Sequence, residues 1–130
     1  RLAGRRRIRL AEIANEPLVA REVGSTTRRA FEAAAEAKGV PLRTIIEIGS
    51  REAMREAVIH GIGMGYVSEA EYIPDDRLRA VRISDADIAI DAHVVYLHER
   101  EHSHIVKAFL DVVGDLLAKP ARLRAGKMRS

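Results

Sequence analysis

Pro17-Leu18-Val19-Ala20-Arg21-Glu22-Val23-Gly24-Ser25-Thr26-Thr27-Arg28 is the stretch from which the rest of the chain can be read. Pro17 opens a short apolar run, Leu18-Val19-Ala20, which predicts a strand ending near Val23. Gly24 breaks it. Ser25 or Thr26 then offers a hydroxyl oxygen to the free N–H groups of a new helix. Ala30, Phe31, Ala34, Ala35 and Ala37 give that helix a narrow apolar face, and Arg28 and Glu32 sit four apart on its wet side. Gly39 closes the helix as a left-handed cap, and Pro41 prevents its return.

The pattern then repeats. Residues 43–48, Arg-Thr-Ile-Ile-Glu-Ile, are rich in β-branched side chains and predict a second strand. Gly49-Ser50 stands where Gly24-Ser25 stood, at the end of a strand and the start of a helix. Glu52 falls near the positive end of that helix dipole. Ala53, Met54, Ala57 and Val58 form its expected buried stripe, and Gly61 ends it. Residues 62–67 read as a third, glycine-rich strand. Strand, helix, strand, helix, strand over 17–67 predicts an α/β fold with a parallel sheet and helices on its faces. Upstream, Ile8, Leu10, Ile13 and Ala14 suggest a short amphipathic turn. Downstream, Pro74-Asp75-Asp76 reads as a turn, 78–83 as a short strand, 84–87 as a polar turn and 93–97 as a strand. Ser103 caps a last helix, whose apolar face runs from Ile105 to Leu117 and which Pro120 stops.

Composition narrows the function classes. The chain has 130 residues, 47% of them apolar, enough for one domain or two small lobes with a real core. With no Trp and 4% aromatics, a base-stacking nucleic-acid platform is disfavoured. The absence of Cys removes disulfides and thiolate metal sites, which fits a cytoplasmic location. No apolar run approaches the length of a membrane span. The start has no apolar core of the signal-peptide kind and no Met, so the chain reads as an excerpt of something longer. The net charge of +3 hides an asymmetry. Residues 1–9 and 119–130 carry five basic residues each and no acid. Removing those ten from the 22 basic residues leaves 12 against 19 acidic ones, about −7 for the body. The ends read as a solvated linker and a basic tail, since an acidic body repels the phosphates that such tails attract.

The turn Gly24-Ser25-Thr26-Thr27-Arg28 places three hydroxyls, several N–H groups and a guanidinium at a helix N-terminus. That chemistry suits a carboxylate, phosphate or phosphonate. Gly49-Ser50-Arg51 is a weaker copy. In a parallel sheet both turns lie at the carboxyl edge, where ligands usually bind. Plain N-capping with no ligand explains the same residues equally well. Gly61, Gly63 and Gly65 do not make a dinucleotide fingerprint, because they leave a helix and enter a strand. His98, His102 and His104 gather around Glu99 and Glu101, but without a recognised metal spacing no metal is expected. Neither a nucleophile elbow nor a phosphate-binding loop appears, so no catalytic residue and no cofactor is expected.

The order of these motifs resembles the effector-binding domain of LysR-type transcriptional regulators. The resemblance rests on Pro17-Leu18-Val19, Gly24-Ser25-Thr26-Thr27-Arg28, Phe31-Glu32, Ser50-Arg51-Glu52-Ala53, Val58-Ile59-His60-Gly61-Ile62-Gly63-Met64-Gly65 and the late Ala108-Phe109-Leu110. Leu2-Ala3-Gly4 is similar to the segment that precedes the crossing between lobes. The resemblance implies two three-layer α/β lobes of the periplasmic-binding-protein type, with the effector between them. Residues 1–16 would be the interlobe linker or a remnant of the first lobe, 17–90 the second lobe, 91–118 the returning strand and helix of the first lobe, and 119–130 a basic tail. Effector contacts would fall at Ser25, Thr26, Thr27, Arg28, Gly49 and Ser50. It further implies a homo-oligomer and DNA contact only through a helix-turn-helix that this chain lacks; the hydroxyls of the turn suit a small anionic effector, and no membrane partner is expected. A solute-binding protein or an enzyme relative with the same lobes is the alternative, since fold alone does not fix function.

Overall fold

The computed structural model describes residues 2, 4–91 and 93–118. The chain divides into two compact units, Arg1–Asp91 and Ala92–Ser130. The first unit runs β1 (Arg7–Ile8), a 3-10 turn (Leu10–Ile13), β2 (Pro17–Arg21), α1 (Thr26–Ala37), β3 (Arg43–Ile48), α2 (Arg51–Ile59), β4 (Met64–Gly65), a 3-10 turn (Glu69–Glu71) and β5 (Arg82–Ile83).

β2 lies at the centre of a three-stranded sheet in the order β3-β2-β4, and both pairings are parallel. Pro17 is tolerated because it is the strand's first residue, where a missing N–H costs least. Successive strand residues point to opposite faces. Leu18 accordingly joins a cluster with Phe31 and Ala35 of α1, together with Ile8, Leu10 and Ile13. Val19 joins the opposite cluster, with Met54 and Ala57 of α2. The helices therefore cover opposite faces of one sheet, a three-layer arrangement. The strand order requires it: the chain steps from β2 outward to β3, then back across β2 to β4, and right-handed crossovers in opposite directions put their helices on opposite sides. Phe31 also stacks on Tyr66, with ring centroids 4.1 Å apart and planes 11° from parallel.

β1 pairs in parallel with β5 in a second, two-stranded sheet. Ser84 N–H and its hydroxyl both donate to the Ile8 carbonyl, at 2.9 and 3.0 Å. The Leu10 N–H donates to Asp85 Oδ1 at 2.8 Å, which satisfies a free donor at the start of the 3-10 turn of residues 10–13. Leu10 and Ile13 are buried, so this N-terminal stretch belongs to the core.

Several sequence expectations need correction. The strand expected near Val23 ends at Arg21, and Val23 is exposed. The third strand shrinks to Met64–Gly65, and the strand expected over 78–83 to Arg82–Ile83. Ala37 and Ala53 are exposed, because α1 and α2 present only narrow faces to the sheet.

The second unit contains a 3-10 turn (His98–Arg100) and α3 (His104–Ala118). The strand expected over 93–97 is absent. An extended segment is held by ladder hydrogen bonds, and no strand pairs with it among the described residues. α3 has the expected apolar spacing but buries none of its residues. The basic tail, 119–130, lies outside the described residues.

Candidate ligand site

β2 and β3 run side by side, with Arg21 opposite Ile48 at their carboxyl ends. From there the chain leaves β2 for α1 on one face and β3 for α2 on the other. The carboxyl ends of the strands are the usual ligand position in open α/β sheets. The turns at 24–27 and 49–50 follow those carboxyl ends, and both therefore lie at that edge of the sheet.

Ser25 is the N-cap of α1. Its hydroxyl oxygen accepts the Arg28 N–H at 3.4 Å and its carbonyl accepts the Arg29 N–H at 3.0 Å. Thr26 begins the helix and is exposed. Thr27 is buried, and its hydroxyl donates to Glu71 Oε2 at 3.1 Å. Ser50 caps α2: its hydroxyl oxygen accepts the Ala53 N–H at 3.2 Å and its O–H donates to Glu52 Oε2 at 3.0 Å. Gly49 is exposed beside it.

Arg28 turns inward, away from the role of a free cation. It donates to Glu32 Oε1 at 2.7 Å, to Glu47 Oε2 at 2.5 Å and to the Arg21 carbonyl at 2.7 Å. The hydrogen bonds to Glu47 and Glu32 hold its guanidinium more firmly charged than usual. Its visible role is to tie α1 to β2 and β3. The i,i+4 pair with Glu32 was legible in the sequence; the cross-sheet partner Glu47 was not.

Glu71 is the residue that sequence reasoning missed. Its carboxylate accepts from the Thr27 hydroxyl, from the Ser68 hydroxyl at 3.0 Å and from the Ser68 N–H at 3.3 Å. It also pairs with Arg51 Nη2 at 2.8 Å. Burial works against its ionisation, yet these hydrogen bonds and Arg51 outweigh it and hold the carboxyl below its ordinary range. Glu71 thus joins the first turns of α1 and α2. The spacing Ser68-x-x-Glu71 is a capping box and was the available signal.

These features define an α/β lobe with a parallel sheet, two helix N-termini meeting at its carboxyl edge, and a built-in carboxylate between them. Residues 1–118 match the sequence model of the LysR substrate binding domain, and the chain belongs to that family. It is 37% identical over 83 residues to the HTH-type transcriptional regulator CbbR of Xanthobacter flavus, covering 61% of this chain and 25% of that protein. It is 42% identical over 67 residues to a RuBisCO operon transcriptional regulator of Allochromatium vinosum, covering 52% and 22%. It is 28% identical over 113 residues to the HTH-type transcriptional activator CmpR of a Synechocystis strain, covering 85% and 37%. The chain therefore spans about a quarter to two fifths of these relatives. No helix among the described residues is long and apolar enough to cross a membrane.

Proposed function

We propose that this chain is the effector-sensing part of a cytoplasmic LysR-type transcriptional regulator, and that its effector is a small anion such as a phosphonate or carboxylate. Residues 17–90 would form one lobe and 91–118 the returning part of the other, with DNA contacted through a helix-turn-helix elsewhere in the full-length protein. The observation that carries this reading is the pair of capped helix N-termini at one carboxyl sheet edge, linked through Glu71. Each brings free N–H groups and a positive dipole end to that edge. Effector binding would favour the closed form of the cleft by differential affinity. Since the named relatives are regulators, no catalytic role is assigned. With Arg28 neutralised by two glutamates, affinity would come from the helix N–H groups and the exposed Thr26 hydroxyl, not from a free guanidinium.

The test is Thr26→Ala in the full-length regulator, titrated calorimetrically with phosphate, phosphonoacetate and succinate. A charge-assisted hydrogen bond contributes roughly 1.5–3 kcal/mol, so affinity for the bound anion should fall about ten- to a hundredfold. Unchanged affinity with a lower melting temperature would mean that the turn only caps the helix.

A further inference from the structure

The arginines of residues 5–9 do not belong to a loose linker. β1 pairs with β5, and the Arg82 N–H donates to the Arg6 carbonyl at 3.2 Å. Ile8 is buried in the core. Successive strand residues point to opposite faces, so an inward Ile8 sends Arg7 outward, and Arg9, also extended, follows on the same side. Arg5, Arg6, Arg7, Arg9 and Arg82 are all exposed. The parallel register sets Arg7 directly opposite Arg82. Like charges facing each other across a ladder repel. Few acids answer them. Glu12 pairs with Arg5, and Glu69 with Arg82. The Arg82 and Glu69 side chains are 64% and 86% exposed, and pairs so wet contribute little. Among the described residues no carboxylate forms an ion pair with Arg6 or Arg7. The fold thus fixes a basic ridge whose charges lack counterparts in the chain itself.

We propose that this ridge, from Arg5 to Arg9 together with Arg82, is a sequence-independent contact for the phosphate backbone of duplex DNA. Charge density favours that partner. Duplex DNA carries one negative charge per about 1.7 Å of its axis. An extended acidic peptide offers one side chain per about 6.6 Å on a given face, too sparse to meet guanidiniums on strands about 4.8 Å apart. The planar guanidinium also matches a phosphate with two parallel hydrogen bonds. Residues 4–9 and 81–83 contain no aromatic ring, so the ridge has no platform on which the bases of a single strand could stack. The acidic body does not forbid the contact, because salt screens charges farther than about 10 Å at about 0.1 M. This contact adds to the one assigned above to a helix-turn-helix, and it does not depend on an anion at the carboxyl edge.

The test follows the 130-residue chain binding a fluorescent duplex of arbitrary sequence by anisotropy, at salt concentrations from about 20 to about 200 mM. Each phosphate contact adds about 0.9 to the slope of log affinity against log salt. Arg6→Gln/Arg7→Gln should therefore lower that slope by about 2, and Arg7→Gln alone by about 1. Arg6→Lys/Arg7→Lys keeps both charges and should keep the slope. Arg122→Gln/Arg124→Gln, in the basic tail, is the comparison for binding that originates outside the ridge. Circular dichroism checks that each variant is folded; if the double Gln variant is not, Arg7→Gln decides. A chain that does not bind the duplex overturns the proposal. So does a slope that the Gln variants leave unchanged while the tail variant lowers it, or a slope lost equally with Lys. Tighter binding to polyglutamate than to the duplex would also overturn it and make the ridge a dock for an acidic protein segment. None of these outcomes bears on the Thr26→Ala titration, so the two readings fail separately.

Discussion

Thr27 and Glu71 show how one residue pair ties this edge together. Thr27 sits in the first turn of α1, where the sequence offers three hydroxyls in a row, and it is the one that is buried. Its hydroxyl is used by Glu71, 44 residues away, while Arg51 holds the other carboxylate oxygen. Replacing Glu71 by Gln keeps the shape but removes the charge. At about pH 7 the variant should lose roughly 1–3 kcal/mol, the worth of hydrogen bonds to an ionised group. The pH dependence gives a sharper check. The folded carboxyl is held below its ordinary value of 4.5, so its contribution is complete above that value and disappears as pH falls through the lower folded value. Urea titrations at about pH 7 and about pH 3 should show the gap between wild type and Glu71→Gln closing on acidification. A gap that persists in acid would mean that Glu71 acts through packing and not charge. Capping is local chemistry, so the sequence narrowed the α1 cap to Ser25 or Thr26 and put Ser50 at the start of α2. Glu71 was hidden because its partners come from two other elements.

At the scale of elements, spacing between strands decides what each glycine is for. β4 reaches β2 through Gly63, where an added Cβ would lie 2.5 Å from the Pro17 carbonyl oxygen and 3.1 Å from its carbon. Both are backbone atoms and cannot step aside as a flexible side chain would. Gly63→Ala should therefore cost about 1–3 kcal/mol in a urea melt by forcing β4 from β2. Gly4→Ala, which meets nothing within 4 Å, serves as the control and should be close to neutral. A neutral Gly63→Ala would mean that β4 contributes little to the sheet. This close approach also explains what could be read beforehand. β3 was legible over its full length because its β-branched residues outweigh any local alternative. β4 was read too long because alternation with glycine marks a tight approach, which here supports only two paired residues. The pairing of β1 with β5 spans 75 positions, as from Arg7 to Arg82, and a two-residue strand leaves no periodicity to detect. Residues 93–97 carry strand-forming side chains, but propensity without a ladder partner does not make a strand.

At the scale of the whole molecule, the question is what covers the second unit. Ile105, Phe109, Val112 and Leu116 follow one another at helical spacing and form a single stripe along α3. They are 81%, 55%, 56% and 51% exposed, so the second unit does not bury the stripe by itself. Val95, at 88%, adds to the exposed apolar surface of the same unit. A helix normally buries such a stripe, and contiguous apolar surface of this kind drives association. β3 contributes a further route, since among the described residues it is an edge strand with one side of its backbone unpaired in the sheet and with Ile45 and Ile46 partly exposed. The expected outcome is that the chain associates in solution, with light scattering giving at least twice the mass of one chain at high concentration. Phe109→Glu places a charge in the middle of the stripe and should shift the population toward single chains, because burying an unpaired carboxylate is strongly unfavourable. The helix should persist in that variant by circular dichroism, since the substitution leaves its backbone hydrogen bonds untouched. A single-chain mass for the unmodified protein would show that the stripe is tolerated in water, and a dimer indifferent to Phe109→Glu would move the interface to the β3 edge.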